Sequence, residues 1–242
     1  MREDFTGYLI CSDYDGTFSH GGAVPARNIA AAEEYMRRGG LFTYCTGRSW
    51  DAAAQGYPLM PNAPMVALCG GQIGDVAAGR MLEGYPMDGR LLADLRALAG
   101  EYPVERVELC FETHSVTAPP RELPEAADEP IFKVVLFTRE QTVSRQDDMR
   151  ALCGGRYNIS FNGPYAAELT CAGHDKGAGA LRVKQLTGAK ILVGIGDFEA
   201  DRPLLAAADI AAAPTGTRME EFAVLVTASA QDGAIADLIE RL

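Results

Sequence analysis

The sequence predicts an α/β fold in which a Rossmann-like parallel sheet forms the core and a smaller α+β domain is inserted into it. Two observations support this prediction. At both ends of the chain, short apolar runs alternate with segments of helical periodicity, which is typical of a parallel sheet covered by helices on both faces. In the middle of the chain prolines are frequent, and apolar and polar residues alternate as in half-buried strands.

The predicted core begins with a buried strand at residues 8–13. A helix follows over 27–38, where apolar residues recur at helical spacing before Gly39 and Gly40 stop it. Further buried strands are predicted at 41–45, 65–69 and 190–195, with shorter ones at 208–213 and 224–227. The chain closes with a helix whose apolar stripe begins at Ile235 and has the spacing i, i+3, i+4, i+7.

The inserted domain is predicted between residues 86 and 164. An amphipathic helix near Leu91 and Leu98 is followed by a strand in which Val107 and Leu109 flank Glu108. Another strand is predicted from 131 to 137. These patterns divide the chain into a first core segment at 1–85, an α+β domain at 86–164 and a second core segment at 165–242.

Charge and composition exclude several classes of partner. The 33 acidic residues outnumber the 22 basic ones, and the formal charge of −11 repels nucleic acid backbones and anionic lipids. No apolar run has the length of a membrane span, and the N-terminus lacks a signal-peptide pattern. The six cysteines show no paired spacing, so we expect reduced thiols and a cytoplasmic location. No feature of the sequence indicates an oligomeric state.

Polar turns follow three of the predicted core strands. The first strand runs into Asp13-Tyr14-Asp15-Gly16-Thr17, the second into Thr46-Gly47-Arg48, and the strand at 190–195 into Gly196-Asp197. Ligands of open parallel sheets bind beyond the carboxyl ends of the strands. We therefore expect the three turns to meet at one edge of the sheet and to form the functional site.

The first turn suits phosphoryl chemistry. A carboxylate such as Asp13 attacks phosphorus when its charge is neutralised and the phosphate is held in line. A second carboxylate, Asp15, can serve as acid and then as base, and Gly16 lets backbone N–H groups approach an anion. Taken alone, the motif is equally typical of an acidic surface turn. A calcium loop fits poorly, because its sixth and twelfth positions would be Phe18 and Val24.

The remaining motifs supply groups that complement phosphate and metal. The Thr46 hydroxyl and neighbouring N–H groups can hold a phosphoryl oxygen, and Arg48 is placed to contact substrate. Lys176 begins a predicted helix, where its ammonium can neutralise both an aspartate and a phosphate; an ordinary solvated lysine is the alternative. Asp197 and Asp201 offer the oxygen ligands that magnesium prefers.

Four motifs of this sequence resemble, in the same chain order, those of the haloacid dehalogenase superfamily. They are DxDGT, TGR, a lone lysine at a helix start and GDxxxD. The interval from Arg48 to Lys176 is far longer than one crossover needs, which resembles the type II cap arrangement. The segments Glu168-Leu169-Thr170 and Lys176-Gly177, with the ending Asp232-Gly233-Ala234-Ile235, are similar to the Cof-type branch and its type IIB cap.

The resemblance implies a phosphatase that uses magnesium (Mg²⁺) and hydrolyses a small phosphorylated metabolite, such as a sugar phosphate, through an aspartyl-phosphate. The implied catalytic residues are Asp13 as nucleophile, Asp15 as acid and base, and Thr46 and Lys176 as phosphoryl-binding groups. The implied substrate-binding residues are Gly16, Gly47 and Arg48. The implied metal ligands are Asp13, the backbone carbonyl of Asp15, Asp197 and Asp201. The sequence departs from the family at Ala200, where members commonly carry an asparagine near the phosphate.

Two other functions share these motifs. A phosphomutase or another phosphotransferase would use the same chemistry but return the phosphoryl group to a substrate. A non-catalytic, phosphate-binding regulatory protein of the receiver type also places Asp, Thr and Lys near magnesium. The large insertion and the second aspartate of the first motif, Asp15, disfavour this regulatory alternative.

Overall fold

The computed structural model describes residues 4–139 and 146–242. The strands are β1 (Tyr8–Ser12), β2 (Leu41–Tyr44), β3 (Met65–Ala67), β4 (Gln72–Asp75), β5 (Arg80–Gly84), β6 (Val104–Cys110), β7 (Ser115–Ala118), β8 (Lys133–Thr138), β9 (Tyr157–Phe161), β10 (Ala166–Cys171), β11 (Ile191–Ile195), β12 (Ile210–Pro214) and β13 (Leu225–Thr227). The α-helices are α1 (Ala26–Arg37), α2 (Trp50–Gly56), α3 (Leu91–Glu101), α4 (Gln146–Cys153), α5 (Lys176–Thr187), α6 (Arg202–Ala207) and α7 (Ala234–Arg241).

The central sheet has five strands in the order β13-β12-β11-β1-β2, and every neighbouring pair is parallel. Helices cover both faces. On one face, Ile10 of β1 packs in a cluster with Tyr35 of α1 and Leu238 of α7. On the other face, Leu9 of β1 packs in a cluster with Val183 of α5. Because successive side chains of a strand point to opposite faces, burial on both sides requires the continuous apolar runs seen in the sequence.

A second five-stranded sheet has the order β7-β6-β8-β10-β9 and is antiparallel throughout. It has a hydrophobic core of its own, which includes Leu95 of α3, Leu136 of β8, Met149 of α4 and Leu169 of β10. The α/β fold with a parallel core and further antiparallel sheets confirms the fold class predicted from the sequence.

One predicted domain boundary disagrees with the way the strands pair. The second core segment was predicted to begin at residue 165, but β10 pairs with β8 and β9, with Leu169 opposite Val134 and Ile159. Drawn by sheet membership, the boundary therefore lies near Cys171. The sequence does not reveal this, because the residues of a short strand do not specify which strands it pairs with. The three-part division of the chain stays a prediction.

The strand predicted at 65–69 is wrong in its end point and its partners. β3 ends at Ala67 and pairs antiparallel with β4, and a single parallel bridge from Val66 to Cys45 links it to the end of β2. Leu68 and Cys69 adopt left-handed backbone angles, with φ of 47° and 56°, and turn the chain into β4. An apolar run conceals this turn, because neither residue is one that usually favours it.

The six cysteines are all free, and five of them are buried. Burial raises the pKa of the thiols of Cys11, Cys45 and Cys69 above the usual range, so these side chains are uncharged groups within the packed interior. Within the described ranges, no helix combines the length and the apolar character needed to span a bilayer.

We expect Leu238→Ala to lower the free energy of unfolding by about 2–5 kcal/mol, because it opens a cavity between α7 and the central sheet. Leu186→Ala makes the same change at a side chain that is 43% exposed and should cost less than about 1 kcal/mol. Urea denaturation of both variants measures the difference. Equal losses would contradict this account of the core.

Candidate active site

The turns that follow β1, β2 and β11 meet at the carboxyl edge of the central sheet, as the sequence predicts. They form one wall of a cavity of about 270 Å³. All of the predicted site residues except Gly16 line this cavity. They are Asp13, Asp15, Thr46, Gly47, Arg48, Lys176, Asp197 and Asp201.

Lys176 lies at the centre of the charged groups. It is the first residue of α5, whose N-cap is Asp175, and the Asp175 carboxylate accepts a hydrogen bond from Ala178 N. Lys176 Nζ donates to Asp13 Oδ1 at 2.7 Å and to Asp201 Oδ1 at 2.5 Å. Burial alone would lower the pKa of Lys176, but the two carboxylates outweigh it and raise that pKa well above its usual value. The ammonium therefore stays charged.

Asp13 follows β1 directly and is only 6% exposed. Burial raises the pKa of its carboxyl well above the usual range, and the charges of Asp201 and Asp197 raise it further, whereas Lys176 lowers it. One ammonium therefore does not balance the negative charge at this edge. A further cation would relieve the repulsion among the carboxylates.

Three carboxylates are close enough to share such a cation. Oxygen atoms of Asp13, Asp197 and Asp201 all lie within 4.8 Å of one another. Thr17 Oγ1 donates to Asp197 Oδ1 at 2.9 Å, and Asp201 Oδ2 accepts from the backbone N–H groups of Asp197 and Phe198. Burial and the charge of Asp201 raise the pKa of Asp197. This set of hard oxygen ligands with surplus negative charge fits Mg²⁺.

The side chain of Asp15 lies apart from the three clustered carboxylates. Arg48 binds both of its oxygens, through Nε at 2.9 Å and Nη2 at 2.7 Å. The guanidinium also lies over the rings of Tyr14 and Tyr57, at 5.3 and 5.8 Å from the ring centres. The bidentate pair holds Asp15 and Arg48 together at the mouth of the cavity.

Thr46 is buried and lines the same cavity. Its Oγ1 accepts hydrogen bonds from Arg48 N at 3.2 Å and from the Tyr57 hydroxyl at 3.3 Å. Both contacts use lone pairs of the oxygen, so the Thr46 proton is left to donate to an anion in the cavity. This arrangement is suited to holding a phosphoryl oxygen.

Several residues that line the cavity were not predicted as site residues from the sequence. They are Cys69, Lys133, Asn162, Glu168, Phe198 and Ala200. Lys133 is the only charged residue in the apolar run 131–137, which indicates a buried, paired charge. Glu168 belongs to a segment similar to the Cof-type branch, but its position at the cavity depends on the packing of the antiparallel sheet.

The model of the haloacid dehalogenase-like hydrolase family matches residues 10–119 and 104–239. The chain belongs to this family. The match confirms the resemblance to the Cof-type branch that the four sequence motifs indicate. No curated protein matches the sequence significantly.

Solved structures of family members share the fold. A phosphatase of this superfamily from Bacteroides thetaiotaomicron has a TM-score of 0.82 at 17% identity, covering 99% of this chain and 95% of its own. A haloacid dehalogenase-like hydrolase from B. subtilis has a TM-score of 0.82 at 18% identity, covering 97% and 99%. A subclass IIB sugar phosphatase has a TM-score of 0.80 at 15% identity, covering 97% and 98%.

Gly16 lies behind the carboxylate cluster and has a steric role. Its φ is +94°, and a Cβ atom at this position would lie 2.3 Å from Asp197 Oδ2. Any larger residue would therefore displace the Asp197 carboxylate. Gly21 also has a positive φ, of +57°, but a Cβ there would meet no atom within 4 Å.

We expect Gly16→Ala to weaken Mg²⁺ binding by about tenfold or more, because it moves a carboxylate of the candidate metal site. Gly21→Ala is the control for adding a methyl group at a positive φ, since a Cβ there does not touch Asp197. Calorimetric titration of both variants with magnesium chloride measures the effect. Unchanged affinity in Gly16→Ala would show that Asp197 does not hold the ion.

Proposed function

We propose that the protein is a magnesium-dependent phosphatase that hydrolyses a small phosphorylated metabolite, such as a sugar phosphate, through an aspartyl-phosphate on Asp13. The observation that carries this proposal is the pairing of a buried Asp13 with Lys176, beside two more carboxylates on the wall of a small cavity. Membership of a hydrolase family supports it, and one protein of like fold is named a sugar phosphatase.

Asp13, Asp197, Asp201 and the backbone carbonyl of Asp15 would hold Mg²⁺ in this proposal. The bound ion would supply positive charge to the phosphoryl oxygens and orient the phosphate for in-line attack. Lys176 contributes a fixed positive charge at the same place. The Thr46 hydroxyl donates to one phosphoryl oxygen.

In the first step, a carboxylate oxygen of Asp13 attacks phosphorus opposite the ester oxygen. The bond from phosphorus to that oxygen breaks, and the departing alcohol takes its proton from Asp15. Arg48 binds both oxygens of Asp15, so it must release at least one of them before Asp15 can deliver a proton. Lys176 and Thr46 hold the phosphoryl group through the transfer.

In the second step, Asp15 acts as the base. It takes a proton from a water molecule, whose oxygen attacks the phosphorus of the aspartyl-phosphate. The bond from phosphorus to the Asp13 oxygen breaks, which restores the carboxylate and yields inorganic phosphate. Asp15 ends the cycle protonated, as it began, and the product leaves as HPO₄²⁻, whose hydroxyl comes from the attacking water.

The domain division and the setting of the reaction belong to this proposal. We propose the division into a core of residues 1–85 and 165–242 and a cap of 86–164, with the second boundary moved to Cys171 because β10 belongs to the sheet of the cap. Lys133 and Glu168 of that sheet line the cavity, so the alcohol part of the substrate contacts the cap side. The charge of −11 supports a small-molecule partner rather than nucleic acid or a lipid surface, and free, buried cysteines accord with a cytoplasmic location.

Asp13→Asn should lower the rate of phosphate release from 4-nitrophenyl phosphate by a factor of about 10³ or more, because it removes the negative charge of the attacking oxygen. A chelator should abolish the activity of the unaltered protein, and added Mg²⁺ should restore it. Asp88→Asn, which changes an exposed aspartate away from the cavity, should retain activity. Release that survives Asp13→Asn would contradict the mechanism, and transfer to a second sugar without release would indicate a phosphomutase.

Asp15→Asn should slow the second step more than the first when the substrate is an aryl phosphate, because a nitrophenolate leaves without a proton. We expect the turnover number to fall by about 10²–10⁴-fold and the aspartyl-phosphate to accumulate. Intact-protein mass spectrometry after acid quenching measures the added phosphoryl group. If hydrolysis stopped without any phosphorylated protein, Asp15 would not be the base of the second step.

A further inference from the structure

A buried ion pair lies on the wall of the cavity contributed by the antiparallel sheet. Lys133 of β8 and Glu168 of β10 are 5% and 7% exposed, and Lys133 Nζ lies 3.2 Å from Glu168 Oε1. Burying such a pair contributes little to stability, because the cost of removing both charges from water offsets their attraction. Both residues line the cavity, where their polar atoms are placed to contact a bound molecule.

The hydrogen bonds of this pair leave part of its capacity unused. Lys133 Nζ has three donors, and it uses two of them, for Gly47 O at 2.8 Å and for Glu168 Oε1. Glu168 Oε2 accepts from Cys69 Sγ at 3.1 Å. Among the described residues, one N–H donor of Lys133 and a lone pair on each oxygen of Glu168 remain without a partner.

Both members of the pair are charged, and together they are neutral. Burial would raise the pKa of Glu168, but the charges of Lys133 and Lys176 and the hydrogen bonds from Lys133 and Cys69 together outweigh it and lower that pKa. The pKa of Lys133 is raised despite its burial. The wall therefore offers both a donor and acceptors, but it offers no surplus positive charge to a second anionic group.

The two parts of the cavity offer different contacts. One part is lined by Lys176 and Thr46, where the phosphoryl group is proposed to lie. Lys133 and Glu168 line the rest, where they can contact the alcohol part of the substrate. A larger cavity of about 970 Å³ shares the lining residues Cys69, Lys176, Phe198 and Ala200, so the pair and not the volume limits the choice of alcohol.

We propose that Lys133 and Glu168 form the specificity-determining pair of the site, which selects a leaving group rich in hydroxyls and rejects one that carries a second negative charge. A hydroxyl both donates and accepts, so it matches the unused donor of Lys133 and the unused lone pairs of Glu168. The bond from Lys133 to Gly47 O fixes the pair relative to the turn that carries Thr46. This inference rests on the proposed phosphatase function.

The first test compares two substrates with the same carbon chain. Glycerol 3-phosphate ends in a hydroxymethyl group where 3-phosphoglycerate has a carboxylate. We expect kcat/KM to be higher for glycerol 3-phosphate by about tenfold or more, because a carboxylate would face Glu168 and leave its lone pairs unfilled. Equal values, or a preference for the acid, would overturn the inference and indicate that Arg48 binds the second anion.

The second test removes both charges at once, so that neither is left buried without its partner. We expect Lys133→Met with Glu168→Gln to lower the ratio of kcat/KM for glycerol 3-phosphate to that for 4-nitrophenyl phosphate by about tenfold. The matched control is Arg182→Met with Glu83→Gln, an ion pair between α5 and β5 outside the cavity, which should leave the ratio unchanged. If the double variant does not fold, as judged by circular dichroism, the isosteric Glu168→Gln alone should lower the same ratio about threefold or more.

The outcomes separate the two proposals. If the unaltered protein hydrolyses neither compound nor any other phosphate monoester, the phosphatase function fails and the specificity inference fails with it. If the unaltered protein hydrolyses 4-nitrophenyl phosphate but the ratio does not change in the folded variants, only the specificity inference is overturned.

Discussion

The burial of one ammonium group among several carboxylates is the constraint on which the rest of the site depends. Lys176 is 4% exposed and contacts Asp13 and Asp201 at hydrogen-bond distance. An unpaired charge at such depth would cost several kcal/mol, on the order of 3–5 when one partner of a buried pair is removed. Since the three residues come from α5 and from the turns after β1 and β11, the ammonium has both of its partners only when all three elements are in place.

The same physical requirement explains the small residues around the cluster. A Cβ atom at Gly196 would lie 2.3 Å from the Cβ of Asp201, and one at Gly16 would collide with Asp197. Glycine at these two positions lets the carboxylates approach one another closely. On the opposite wall of the cavity the buried charges need no further ion, because Lys133 and Glu168 neutralise each other there. One wall therefore carries surplus negative charge that favours a cation, and the other is neutral and polar.

Much of this arrangement was predictable from strand ends. The turns at Asp13, Thr46 and Asp197 each follow a buried apolar run, and parallel strands deliver their carboxyl ends to one edge. Lys176 was placed at the site through its resemblance to a family motif rather than by local pattern. The turn at Leu68 and Cys69 could not be predicted, since an apolar run gives no sign of where its backbone leaves the strand.

By itself, the sequence determined the fold class, the family and the order of the polar turns, because periodicity and motif order are local properties of the chain. Only the tertiary structure decided which carboxylates lie close enough to share a cation, that Arg48 pairs with Asp15, and that Lys133 and Glu168 line the cavity. These relations join residues far apart in the chain. They depend on distances of a few ångströms, which are set by strand pairing and by contacts between the antiparallel sheet and the turns of the parallel one, such as that of Lys133 with Gly47 O.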